Sequence, residues 1–150
     1  MSRWIGVDHG LARIGVAVSD QVNLTARELT IIERQSKRED FARLNALAAE
    51  QKATAFIVGL PSDFDTPETV VYTQADKVRA WVEHFKATTP LPIILWDEQL
   101  TTVEAHELAQ RLKRPARARV DDLAARVMLQ SYLDAVRDGL AEPPSSAGQA

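Results

Sequence analysis

The sequence predicts an α/β fold built on a five-stranded mixed sheet that is flanked by helices. Three apolar runs separated by turn residues come first, at residues 3–7, 14–18 and 29–32, and such runs predict hairpin-linked antiparallel strands. Two further apolar runs, at 55–59 and 92–96, alternate with segments of helical periodicity. That alternation predicts parallel strands joined by helices, so the sheet is expected to be mixed, with its first three strands antiparallel.

Four helices complete the predicted order β-β-β-α-β-α-β-α-α. Their predicted starts are Ser36 with capping-box spacing to Glu39, Thr66-Pro67, Thr101 with capping-box spacing to Glu104, and Val120. The third helix is expected to end near Leu112 and the fourth near Val136. Residues 1–140 should form one domain, followed by a disordered tail at 141–150 that is rich in proline, serine and glycine.

Composition narrows the functional classes. The chain has no cysteine, which excludes disulfides and zinc–thiolate sites. No apolar run reaches the roughly 20 residues that a membrane span needs, and the first strand leaves no room for a signal peptide, so a cytoplasmic protein without membrane contact is expected. The net charge is −3, so any nucleic-acid partner must be inferred from local charge.

Carboxylates stand at the ends of two predicted strands and at the start of the last helix. Asp8 ends the first strand, Asp97-Glu98 follow the fifth, and Asp121-Asp122 open the fourth helix. Each has an ordinary explanation as a turn residue, a solvated loop residue or a charge that complements a helix dipole. Asp121, however, heads the apolar face that Ala124, Ala125 and Met128 continue, which directs it toward the sheet.

Three acids from distant segments are therefore expected to meet at one edge of the sheet: Asp8, Glu98 and Asp121. Clustered carboxylates need compensating cations, and hard oxygen ligands suit Mg²⁺ or Mn²⁺. Two such ions about 4 Å apart can activate water for phosphodiester cleavage. Asp97, Thr101 and Asp122 are expected beside these ligands, with Asp122 paired to Arg126 on the exposed side of the helix.

A basic stretch precedes the last helix in this otherwise acidic chain. It holds five cations and no acid within residues 111–119, and its cations are Arg111, Lys113, Arg114, Arg117 and Arg119. Together with Arg13 in the first motif, these residues are predicted to bind the phosphates of a nucleic acid. The alternative is a solvated loop after a helix C-terminus, where cations are favourable in any case.

At this point the sequence resembles the YqgF family over roughly residues 3–135. The motifs that carry the resemblance are Gly6-Val7-Asp8-His9-Gly10-Leu11-Ala12-Arg13-Ile14-Gly15 with Ser19-Asp20, Val58-Gly59-Leu60-Pro61, Asp97-Glu98-Gln99-Leu100-Thr101-Thr102 and Asp121-Asp122-Leu123-Ala124-Ala125. The resemblance implies a ribonuclease H-like fold and a metal-dependent nuclease, and it carries the family's three acids onto Asp8, Glu98 and Asp121. It also implies maturation of the 5′ end of small-subunit ribosomal RNA, with four-way DNA junction cleavage as the older proposal.

The chain departs from the family in two places. Gln99 stands where the family usually has arginine, which would weaken a phosphate contact, and residues 62–66 lack the usual Asp-Gly turn. Two other functions are weighed against a nuclease. A sugar-kinase-type phosphotransferase would need two domains, for which 150 residues are too few. A non-catalytic RNA-binding module in ribosome assembly would retain the fold without using the acids. The choice between ribosomal RNA precursor and branched DNA, and between monomer and homodimer, stays open.

Overall fold

The computed structural model describes residues 2–61, 72–98, 101–115 and 118–145. The described elements follow the predicted order. They are β1 (Arg3–His9), β2 (Arg13–Ser19), β3 (Ala26–Glu33), α1 (Lys37–Gln51), β4 (Ala53–Pro61), α2 (Gln74–Lys86), β5 (Ile93–Glu98), α3 (Thr101–Arg111) and α4 (Asp121–Arg137).

The five strands form one mixed sheet in the order β3-β2-β1-β4-β5. The neighbours β1 and β2 are antiparallel, as are β2 and β3, whereas β4 runs parallel to both β1 and β5. The predicted mixed sheet is therefore confirmed, including the antiparallel arrangement of its first three strands. Strand β1 is central, and its carboxyl end lies at the same edge of the sheet as the carboxyl ends of the parallel strands β4 and β5. Open α/β sheets bind ligands at that edge, which favours a site there.

The two faces of the sheet carry different cores. On one face, branched side chains of the strands pack against the aromatic residues Phe41 of α1 and Trp81 and Phe85 of α2. On the other face, α4 packs through Ala125, Met128 and Leu129 against a smaller set of strand residues. Helix α3 does not join either of these cores and packs against the outer side of α4, through Leu108 and Leu123 among others.

Glycines on β1 and β2 allow α4 to lie directly against the sheet. A Cβ added at Gly6 would come 2.9 Å from the Cβ of Leu129, closer than real Cβ atoms approach. A Cβ added at Gly15 would overlap the carbonyl oxygen of Asp121. The first turn of α4 is therefore placed by a position in the sheet that only glycine can occupy.

Two predicted boundaries differ from the structure. The predicted helix start at Thr66-Pro67 lies outside the described residues, and α2 instead begins at Gln74, where Thr73 and Asp76 form a capping box. The predicted tail begins at residue 141, yet Ala141 packs against the α4-side core and the carbonyl of Glu142 accepts a hydrogen bond from the Tyr132 hydroxyl at 2.6 Å. None of the described helices is long and apolar enough to span a membrane.

Candidate active site

Asp8 and Asp121 are brought together through Gly15. The Cα of Asp8 pairs with the Cα of Gly15 across β1 and β2, and the backbone of Asp121 lies directly over Gly15. Strand alternation gives Asp8 the same face as Trp4 and Gly6, which is the face that α4 covers. The backbones of Asp8 and Asp121, 113 positions apart in the chain, therefore meet at one edge of the sheet.

Arg13 forms an ion pair with Asp121, one of these two acids. Its Nε donates to the Asp121 carboxylate at 3.3 Å, and both side chains are about one quarter exposed. An ion pair that is open to solvent on one side can exchange its partners at modest cost. Arg13 is thus placed to neutralise Asp121, and a phosphate group at this edge would lie within its reach.

Glu98 is the last residue of β5, and its Cα pairs with that of Pro61 at the end of β4. Strand β4 separates β5 from β1, and Glu98 lies two residues farther along the sheet than Asp8, so their backbones are about 12 Å apart. Asp97 is exposed one position earlier, opposite Leu60. The side chains of Glu98 and Thr101, and the whole of Gln99, lie outside the described residues.

The carboxylates of Asp8 and Asp121 fit part of a divalent-cation site. Two adjacent carboxylates with one arginine carry a net negative charge, and their oxygens are the hard ligands that Mg²⁺ and Mn²⁺ prefer. Among the described residues, which leave out the Glu98 side chain, no group of three His, Cys, Asp or Glu side chains is assembled to hold a metal. Asp8 and Asp121 thus fit part of a ligand set whose third member would come from β5.

Asp122 has a partner that the sequence analysis did not anticipate. Both of its carboxylate oxygens accept from Arg114, at 2.9 and 3.0 Å, and only 8% of the residue is exposed. The predicted pairing of Asp122 with Arg126 is wrong, since Arg126 instead binds Glu28 of β3 at 3.1 Å. Helical spacing considers partners within α4 alone, whereas the fold brings Arg114, which precedes α4, to the carboxylate of Asp122.

The predicted phosphate-binding cations therefore divide into two groups. Arg114 donates two hydrogen bonds to Asp122 and also lies 3.6 Å from Glu28; its side chain is about one quarter exposed, and the bonds that it donates to Asp122 raise the pKa of its guanidinium. In contrast, Arg111, Lys113 and Arg119 are exposed, and Arg119 makes only a 4.0 Å contact with Glu33. Arg117 lies outside the described residues. The second group is the more exposed of the two.

His9 follows Asp8 but faces the other side of the sheet, as alternation along β1 predicts. Its ring packs against that of Trp81 with centroids 4.7 Å apart. Burial, and then the nearby Arg34, lower the pKa of His9 to about 4, so the ring is neutral at pH 7. His9 and Asp8 both line a cavity on that side, together with cations from α1 and α2. The sequence analysis missed this cavity because its lining comes from segments far apart in the chain.

Comparison with known proteins identifies the family. The sequence profile of the RuvX family, described as Holliday junction resolvase, matches residues 2–135. A protein of Syntrophus aciditrophicus, provisionally named a pre-16S rRNA nuclease, is 40% identical over 137 residues, which cover 89% of each chain. A protein of Thermoanaerobacter pseudethanolicus with the same name is 40% identical over 91% of this chain and 99% of its own.

Solved structures with the same fold are more distant in sequence. The chain is similar to Thermus thermophilus RuvC in complex with a Holliday junction substrate, with a TM-score of 0.60, 16% identity, and coverage of 95% of this chain and 99% of that one. It is also similar to the fowlpox virus resolvase in complex with Holliday junction DNA, with a TM-score of 0.51, 10% identity, and coverage of 89% and 98%. These likenesses agree with the expected ribonuclease H-like fold. The profile match over most of the chain, with relatives at 40% identity, shows that this chain belongs to the RuvX family of nucleases.

Proposed function

We propose that this protein is a divalent-metal-dependent nuclease that matures the 5′ end of precursor 16S ribosomal RNA, with Asp8, Glu98 and Asp121 as its catalytic metal ligands. The observation that carries the proposal is the meeting of Asp8 and Asp121 across Gly15 at the edge of the sheet. The RNA substrate is taken from the names of the relatives. Two bound Mg²⁺ or Mn²⁺ ions would supply activation of the attacking water and stabilisation of the leaving oxygen.

The residues of the chain contribute position and charge. Asp8 is fixed by a central strand and Asp121 by the seating of α4 on Gly15, so both carboxylates have little freedom to separate. Arg13 neutralises Asp121 in the metal-free protein and is placed to bind a phosphate oxygen of the substrate. Arg111, Lys113 and Arg119 are exposed cations beside α4 that would hold the strand through its phosphates.

Cleavage of four-way DNA junctions is the second candidate function. The observation that favours it is the match to a family profile described as Holliday junction resolvase. RNA precursors and DNA junctions present the same phosphate groups to the same cations, so the site chemistry does not separate them. A non-catalytic role in ribosome assembly remains the third outcome, and it would be recognised by binding that persists in chelator without cleavage.

The test compares cleavage of a 16S RNA precursor and of a DNA junction with Mg²⁺, Mn²⁺ and chelator. We expect Asp8→Asn and Asp121→Asn to reduce cleavage at least about 100-fold, since loss of even an outer-shell partner of a metal costs 10- to 100-fold. Asp138→Asn is the matched control, because Asp138 is an exposed acid just after the far end of α4. Cleavage in excess chelator, or full activity of Asp121→Asn, would overturn the metal mechanism.

Metal binding itself provides a measurement that does not depend on activity. A ligand at free concentration L that binds only the folded state stabilises it by RT ln(1 + L/Kd), so the melting temperature rises with the logarithm of the ligand concentration above Kd. We expect Mn²⁺ to raise the melting temperature of the wild-type protein and of Asp138→Asn, and to have much less effect on Asp8→Asn or Asp121→Asn. An equal shift in all four proteins would place the metal elsewhere.

A further inference from the structure

A cavity of about 370 Å³ lies on the face of the sheet opposite α4, where β1 and β4 end. Its lining comes from the end of β1, the connection from β3 into α1, the end of β4, and α2 with the residue that precedes its cap. Asp8 contributes to this lining, so the cavity adjoins the acids of the candidate active site. The residues that matter for its chemistry are His9, Arg34, Lys37, Tyr72, Lys77 and Trp81.

The described lining of this cavity is predominantly positive. Arg34, Lys37 and Lys77 line it, Asp8 is the one acid among its described lining residues, and Arg34 also lies 4.0 Å from the carboxylate of Asp40. The guanidinium of Arg34 donates to the carbonyls of Gly10 and Leu11 at 2.9 and 3.1 Å, which fixes the turn after β1. Neither lysine takes part in an ion pair among the described residues. Two lysine ammonium groups are therefore available to an anion beside the candidate active site.

The same cavity offers apolar and aromatic surface. Tyr72 and Leu11 are 55% and 75% exposed, and both belong to its lining. The rings of His9 and Trp81 pack against one another beneath this exposed surface. Each carries a buried nitrogen, Nε2 and Nε1 respectively, that has no hydrogen-bond partner among the described residues. Such orphaned atoms are rare.

From this combination we propose that the cavity binds one unpaired nucleotide of the substrate strand, with its base against Tyr72 and its phosphate at Lys37 and Lys77. The inference rests on the proposed nuclease function, and it specifies a feature of the substrate. The volume lies within the range of small-molecule sites, about 300–1,000 Å³. Aromatic rings that stack bases, beside cations that hold phosphates, are typical of sites for single-stranded nucleic acid.

The site discriminates between forms of nucleic acid. A base within a continuous duplex is stacked on both sides and must be unpaired before it can enter a cavity. The substrate strand is therefore expected to have an unpaired nucleotide next to the cleaved bond, as at the junction between a helix and a single strand. A fully paired duplex would leave the cavity empty and bind more weakly.

The test measures mononucleotide binding without metal and without cleavage. The ¹⁵N-labelled full-length protein is titrated with adenosine 5′-monophosphate in chelator, and the tryptophan indole N–H signals are followed. Trp81 lines the cavity, whereas Trp4 and Trp96 pack on the opposite face and serve as internal controls. We expect a saturable shift of the Trp81 signal, with much smaller shifts of the others. No Trp81 shift would overturn the proposal.

Variants and ligand controls separate a nucleotide site from a general anion site. Tyr72→Ala should weaken AMP binding about tenfold through lost stacking, and Lys37→Ala combined with Lys77→Ala should weaken it by a similar factor. Lys86→Ala is the matched control, because Lys86 is on α2 but pairs with Glu83 outside the cavity. Inorganic phosphate that binds as tightly as AMP, or an unaffected Tyr72→Ala, would overturn the nucleotide assignment.

The failure of this proposal can be distinguished from failure of the nuclease proposal. Asp121 does not line the cavity, so Asp121→Asn should lose cleavage while it keeps the affinity for AMP. A wild-type protein that cleaves RNA but does not bind AMP would remove the nucleotide subsite alone. A protein that binds AMP at Trp81 but cleaves nothing would support the subsite and remove the catalytic proposal.

Discussion

The two faces of the central sheet are packed by different means. On the α4 face, the helix lies on glycines at positions 6 and 15, and ion pairs join it to distant segments, as between Arg126 and Glu28. On the α1–α2 face, an aromatic cluster that includes Phe41, Trp81 and Phe85 fills the space between helices and sheet. The salt bridges of the α1–α2 face lie at or near the helix ends and join residues close in sequence.

The comparison relates packing to function. Backbone contact through glycine leaves no side chain whose rotation could absorb a shift, so the α4 face holds Asp8 and Asp121 at a set spacing. Bulky rings pack with more freedom to rearrange and leave a cavity at the edge, which suits the binding of a ligand with variable structure. We therefore expect changes to the α4 face to affect the chemistry more than changes to the aromatic cluster.

The largest expected effect is that of Gly15→Ala. The added methyl group would overlap the carbonyl of Asp121, so the backbone must move and α4 with it. We expect a loss of about 3 kcal/mol or more in the free energy of unfolding. A displacement of about 1 Å at the acids would also reduce cleavage roughly 100-fold. Chemical denaturation and cleavage assays measure the two effects.

Two controls belong with this variant. Gly139→Ala lies at a positive φ of 76° in open space, so it should cost only about 1–2 kcal/mol and leave cleavage intact. Phe85→Leu, in the aromatic cluster, should cost about 1–1.5 kcal/mol and leave the rate per folded molecule unchanged. A Phe85→Leu enzyme as inactive as Gly15→Ala would remove the distinction between the two faces.

A smaller effect is expected from Asp122→Asn, which tests the ion pairs of the α4 face. The substitution removes the negative charge from a buried side chain and leaves Arg114 with a weaker partner. Because hydrogen bonds between charged groups are worth about 1.5–3 kcal/mol, we expect a loss of stability in that range. Urea denaturation at low and high salt provides the measurement.

The comparison variant for Asp122→Asn is Arg111→Ala. Arg111 is exposed at the end of α3, so its loss should leave stability nearly unchanged but reduce the salt dependence of nucleic-acid binding by about one unit of log–log slope. The reverse pattern, with Arg111 important for stability and Asp122 for binding, would show that the roles of the paired cation Arg114 and the exposed cation Arg111 have been interchanged.

The smallest expected effect is that of Tyr132→Phe, where the α4 face meets the C-terminal segment. Loss of the hydrogen bond to the Glu142 carbonyl should cost about 0.5–1.5 kcal/mol. Burial raises the pKa of Tyr132 to about 12, above its ordinary value of 10.0. The contribution of the protonated Tyr132 hydroxyl to the free energy of unfolding should therefore be complete below pH 10 and disappear as the pH rises through 12. Unfolding measured from pH 9 to 12 should show a steeper loss for wild type than for Tyr132→Phe.

Much of the fold could be predicted because its signals are local. Alternation and helical periodicity yielded, in order, the nine elements that the described residues form, and the face headed by Asp121 is buried as expected through Ala124, Ala125 and Met128. The described start of α2 at Gln74 depends on the Thr73–Asp76 capping box, whereas the predicted start at Thr66-Pro67 lies outside the described residues. The exposed pairing of Asp122 with Arg126 was wrong because a buried partner with two hydrogen bonds outcompetes an exposed neighbour at helical spacing.

The sequence by itself therefore determined the order of the elements, their buried faces and the acids at their ends, since each depends on residues within one or two turns or strand repeats. Only the tertiary structure decided which charges meet. Arg13 and Asp121, separated by 108 positions, pair because α4 lies against β2, and Arg114 is held by Asp122. The cavity at His9 likewise exists only where β1, α1 and α2 converge. Periodicity predicts the direction in which a side chain leaves its own helix or strand. It does not give the distance from that side chain to one on another element.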